Sequence, residues 1–77
     1  MTELLEYLAR QLVDEPDAVR VEQQEGADEE LILLLRVAEA DRGKVIGRQG
    51  RIARALRTIV RASAARERRR VRLEIVE

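Results

Sequence analysis

The 77 residues carry 15 basic and 15 acidic side chains, a formal charge of zero, with no Cys, His, Trp or Phe and a single Tyr. So short a chain supports one small core, hence one domain over residues 1–77, and lacks thiol, imidazole or soft-ligand metal chemistry, so neither a cofactor nor an enzyme is expected. The longest apolar stretch, Leu31 to Leu35, is far below the roughly 20 residues a membrane span needs, and Met1-Thr2-Glu3 is no basic signal-peptide start, so a cytoplasmic protein is expected.

The predicted elements follow in chain order. Leu4, Leu5, Leu8 and Leu12 form one stripe of an amphipathic helix over residues 2–13, with Thr2 as N-cap and acids in the first turn. Pro16 stops that helix by Asp14-Glu15. Ala18 to Glu22 alternates apolar and polar residues as a half-buried strand does, and Gln23 to Glu30, centred on Gly26, reads as a loop. The apolar run Leu31 to Val37 is a second strand, forming a hairpin with the first. If Leu31, Leu33, Leu35 and Val37 face the helices, Ile32 and Leu34 lie on the opposite sheet face. A glycine-punctuated segment from Asp41 to Gly50 opens a short helix and then a long one. Ile52, Ala55, Leu56, Ile59, Val60 and Ser63 share one face of the long helix, and Arg54, Arg57 and Arg61 share the other. Those three arginines read as a solvated face or as a secondary surface for an anionic partner. Arg66 to Arg70 end the helix in charge. Val71, Leu73 and Ile75 define a third strand. The expected fold is α+β, in the order helix, strand, strand, helix, helix, strand.

Zero net charge conceals a polarity along the chain. Residues 1–41 hold 12 acids against three bases, a net −9, and residues 42–77 hold 12 bases against three acids, a net +9. Either the halves pair with each other or the basic half meets an anionic partner such as nucleic acid.

The glycines at 43, 47 and 50 admit several readings. A nucleotide-binding loop fails because Gly43-Lys44 is followed by Val45 rather than Ser or Thr. A helix-turn-helix is conceivable, though three strand signals surround the segment. A third reading lets a nucleic-acid backbone approach Gly47 and Gly50 closely, with helix N–H groups, Lys44 and Arg48 favouring phosphate. The bland alternative is a helix break among solvated arginines. Glu39 and Asp41 read as a solvated turn and a helix N-cap. Val45 and Ile46 serve equally as core or as groove wall.

Val45-Ile46-Gly47-Arg48-Gln49-Gly50-Arg51-Ile52 resembles the signature of a KH domain, a Gly-x-x-Gly loop flanked by aliphatic residues. Two strands before the loop and one after it resemble the type II arrangement, a three-stranded sheet with its helices on one face. The run from Asp41 to Val60, in a chain with nothing else, is similar to the small bacterial KhpA family. The resemblance implies a single-KH RNA-binding protein and proposed RNA chaperone, paired with itself or with KhpB, a larger KH-bearing protein. It further implies post-transcriptional regulation and a link to cell elongation and peptidoglycan homeostasis. Carried onto this chain, Gly47, Arg48, Gln49 and Gly50 hold single-stranded RNA backbone, Lys44, Arg51 and Arg54 supply charge, and Ile46 and Ile52 wall the base groove. With one ring in the chain, stacking worth ~1–3 kcal/mol per base is missing, so binding should be weak and tolerant of sequence. The competing expectation is a protein-interaction adaptor on a KH scaffold with little RNA binding of its own.

Overall fold

The computed structural model describes residues 1–76, apart from the side chains of Arg48 and Gln49. It contains α1 (Thr2–Leu12), β1 (Arg20–Glu25), β2 (Leu31–Arg36), α2 (Glu39–Arg66) and β3 (Val71–Val76). The three strands form one sheet in the order β1-β2-β3. β1 and β2 are an antiparallel hairpin in which Arg20 faces Arg36 and Glu25 faces Leu31. β2 and β3 are parallel, with Leu31 beside Val71 and Arg36 beside Val76. A parallel neighbour requires a crossover, which α2 supplies.

β2 alternates buried and half-buried residues along its length. Leu31, Leu33 and Leu35 meet Leu73 of β3, Leu5 and Ala9 of α1, and Leu56 and Val60 of α2 in a single core, to which Val19 adds from the turn before β1. Both helices therefore lie over one face of the sheet. Ile32 and Leu34 point to the other face, as expected. There the register places Ile32 between Gln24 and Arg72, and Leu34 between Glu22 and Glu74.

Several expectations shift in detail. The cap residue of α1 is Met1, with no side-chain cap bond, and Thr2 is already helical. The buried stripe of α1 is Leu5 and Ala9, while Leu4 and Leu12 are each 38% exposed. The four leucines span about 100° of the helix with Leu5 at one edge, and Ala9 lies about 40° beyond it, so the buried side is rotated past the leucine stripe toward the small residue. Pro16–Ala18 forms a single 3₁₀ turn, which delays the first strand to Arg20 and lets it run to Glu25. The face of the long helix is likewise rotated. Ala53, Leu56, Val60 and Ala64 are buried, and Ile59 is 40% exposed. Alanine at 53 and 64 lets the helix sit near the sheet, a role that a scan for large apolar residues overlooks.

Helical hydrogen bonding runs through α2 from Glu39 to Arg66, but Gly50 has φ +67. A left-handed residue cannot belong to a right-handed helix, so two helical segments meet at Gly50, as the two-helix expectation required. The second segment ends in a Schellman motif: Arg69 N–H donates to the Ala64 carbonyl at 3.0 Å and Arg68 N–H to Ala65 at 3.1 Å. Arg68 occupies the left-handed position, φ 54, where glycine is the usual choice.

Candidate nucleic-acid interface

The first segment of α2 is held by its inner face. Val45 and Asp41, one turn apart, are both 1% exposed. Asp41 does not cap its own helix, contrary to expectation, because the N-cap is Ala38. Its carboxylate reaches across to the end of α1 and accepts Asp14 N–H at 3.0 Å and Glu15 N–H at 2.9 Å. These amides are freed by Pro16, which ends the preceding helical pattern, and the buried carboxylate supplies their acceptors. Its charge also suits the positive end of α2, where Asp41 lies in the first turn. Asp14 in turn places a carboxylate 3.3 Å from Lys44 Nζ.

With Asp41 and Val45 turned inward, Gly43 and Gly47 fall on the opposite side of the segment. An open cleft of about 580 Å³ lies there, lined by Gly43, Lys44, Gly47, Arg51 and Ile52. A Cβ added at Gly43, Gly47 or Gly50 would touch nothing within 4 Å. Gly50 is required by its positive φ, but neither backbone angle nor packing demands glycine at 43 or 47, where the helix is weakened by roughly 0.5–1 kcal/mol each. What these glycines provide is bare backbone open to solvent beside two cations.

Of the sequence-predicted residues, Lys44, Gly47, Arg51 and Ile52 come together in the cleft and Gly50 adjoins it. Ile46 is 49% exposed, which separates it from core residue Val45. Ile52 is half-buried, with one side against the core. Arg54 is exposed, one helical turn beyond Arg51. The side chains of Arg48 and Gln49 lie outside the described residues. Gly43 and the positioning carboxylate Asp41 were missed as site residues. The four-residue step from Asp41 to Val45 was the available signal, since it places both on one stripe.

The electrostatics are divided by region. Arg36 pairs with Glu22 at 2.8 Å, and Arg69, Arg70 and Arg72 pair with Glu25, Asp28 and Glu30 at 3.3, 4.0 and 3.8 Å. Arg57 Nε donates to the Leu73 carbonyl at 3.4 Å, which ties α2 to β3. Among the described residues, Arg51, Arg54, Arg61 and Arg66 have no ion-pair partner. The acidic half thus neutralises the far end of the basic half and leaves arginines beyond Gly50 exposed. No helix among the described residues is long and apolar enough to cross a membrane.

A family model described as KhpA/KhpB, KH domain, matches residues 2–75. The chain is 51% identical over 76 residues to the RNA-binding protein KhpA of Clostridium acetobutylicum, covering 99% of this chain and 100% of that one. It is 55% identical over 75 residues to the protein of that name from Treponema pallidum, covering 97% and 92%. Against that of Aquifex aeolicus it is 49% identical over 77 residues, covering 100% and 96%. The name these three relatives share describes a binder rather than an enzyme. No solved structure matches significantly.

Proposed function

Because the chain belongs to the KhpA/KhpB family of KH domains, we propose that it is a non-catalytic RNA-binding protein that holds single-stranded RNA by its backbone at Gly47-Arg48-Gln49-Gly50. The observation that carries this is the bare glycine face, which the fold does not need at positions 43 and 47, beside Lys44 and Arg51. Backbone phosphates approach Gly47 and Gly50, where Arg48, Arg51 and Arg54 add charge and Gln49 adds polar contacts. Bases lie against Ile46 and Ile52. The whole of residues 1–77 acts as one such domain. With about three phosphates engaged, the single-strand salt slope is near −2.

The wider role is that of a cytoplasmic RNA chaperone and post-transcriptional regulator, acting as a homodimer or with a KhpB-type partner and affecting cell elongation and peptidoglycan homeostasis. The family likeness supports it. The small core and the exposed Leu4, Tyr7 and Leu12 on α1 support association. Replacing Arg48 and Gln49 by Asp tests the site: circular dichroism should be unchanged and retention of a short single-stranded RNA lost, whereas unchanged retention removes the assignment. The same exposed α1 residues favour a second reading, an adaptor with little RNA binding of its own. RNA that crosslinks in cells only when the protein partner is present would select that reading.

A further inference from the structure

At the opposite end of α2 from the glycine loop, two turns meet. One is the β1–β2 connection, closed by Gly26 N–H to the Glu30 carbonyl at 2.7 Å, with Asp28 and Glu29 left-handed at φ 55 and 63. The other is the Schellman turn at Arg68. Leu31 N–H donates to the Arg70 carbonyl at 2.9 Å, and Arg70 Nη2 donates to the Asp28 carbonyl at 3.0 Å, so the turns are joined by one backbone bond and one side-chain bond. Between them is a polar cleft of about 450 Å³ faced by Glu25, Asp28 and Glu29 on one side and by Glu67, Arg68, Arg69 and Arg70 on the other.

We infer that Arg69, Arg70 and Arg72 form a latent second site for the phosphates of single-stranded RNA, masked by the carboxylates of Glu25, Asp28 and Glu30. The inference rests on the RNA-binding reading of the glycine loop and extends it. Its first ground is the regional division of charge. The exposed arginines leading from Gly50, at positions 51, 54 and 61, share one stripe of α2 and have no carboxylate partners among the described residues, whereas Arg69, Arg70 and Arg72 are each opposed by one. Its second ground is chemical. A carboxylate and a phosphate present the same charged oxygens to a guanidinium fork, so the acidic turn occupies the arginines as a phosphate would. Its third ground is the looseness of these pairs. Their separations are 3.3, 4.0 and 3.8 Å, and Asp28 is 87% exposed, so each contributes little to stability and yields to a competing anion. The two sites stand about 24 Å apart along the helix, from Gly50 to Arg66. A short RNA held at the loop reaches only the first, and a longer one reaches both.

The experiment compares the full chain with the variant carrying Glu25→Gln, Asp28→Asn and Glu30→Gln, using single-stranded RNA of about four nucleotides, the loop's expected span, and RNA about three times that length. Unmasking three phosphate contacts should steepen the salt slope for the long RNA from about −2 to about −4. Between 50 and 200 mM salt, affinity for it then falls about 250-fold rather than about 16-fold. Binding of the short RNA should stay unchanged. Adding Arg69→Gln, Arg70→Gln and Arg72→Gln to that variant should return the slope to about −2. An unchanged slope in the first variant, or a gain that survives loss of the three arginines, overturns the inference while leaving the loop assignment standing. Failure of the unaltered chain to bind even the short RNA removes both. If the triple variant unfolds, Asp28→Asn alone carries the test, with an added slope of about −0.7 expected and none refuting.

Discussion

Replacing Asp41 by Ala should unfold the protein more readily than any surface change. Two backbone amides, Asp14 N–H and Glu15 N–H, lose acceptors at 3.0 and 2.9 Å. A donor left without its partner costs about 1–3 kcal/mol, with the lower end fitting here because Asp14 and Glu15 lie near solvent. Loss of an anion in the first turn of α2 adds about 0.5 kcal/mol. The expected destabilisation is therefore about 2–4 kcal/mol, a large share of the total for a domain of this size. At about 4–8 °C per kcal/mol, the melting temperature should fall by roughly 10–25 °C. Asp41→Asn keeps the shape and one acceptor, so about half that loss is expected. Urea titration followed by circular dichroism measures both, read from the midpoint at constant slope. A loss below about 0.5 kcal/mol for Asp41→Ala would refute the view that this carboxylate ties α1 to α2.

Other consequences are equally open to measurement. Gly50→Ala forces a Cβ into a left-handed residue and should cost about 1–2 kcal/mol in a denaturation experiment. A Cβ at Gly47 meets no neighbour within 4 Å, so Gly47→Asp should leave the melting temperature close to that of the parent while affinity for short RNA falls at least tenfold. Arg68→Gly, at the Schellman position with φ 54, should stabilise by about 0.5–1 kcal/mol. Leu35→Ala, in the centre of the core, should cost about 2–5 kcal/mol, against under about 1 kcal/mol for Leu4→Ala on the outer side of α1.

The order of elements was legible because each carries a strong local signal. The apolar run of β2, the alternation of β3, the proline after α1 and the glycines in α2 all act within a few residues. The outward placement of Ile32 and Leu34 followed from the period of two alone. Less legible were the facts set by packing between elements. Which stripe of α1 is buried depends on where a sheet some 20 residues later meets it, and small Ala9 wins over Leu4 and Leu12. Asp41 resembled a cap because caps are the common local use of Asp. Its acceptor role lies 26 and 27 residues away in sequence. At the candidate site, Lys44, Gly47, Arg51 and Ile52 were readable as a motif, while Gly43 emerged only once the inward turn of Asp41 and Val45 fixed the opposite face. The pairing of Arg69, Arg70 and Arg72 with acids more than 40 residues earlier was invisible to any local pattern.

The central claim, that the glycine loop holds RNA, is tested most directly by ultraviolet crosslinking of a short single-stranded RNA to the full chain, with the adducts located by mass spectrometry. Adducts concentrated between Lys44 and Arg54 are predicted. Adducts confined to the open sheet face around Ile32 and Leu34, or none at concentrations where the protein stays folded, would contradict it.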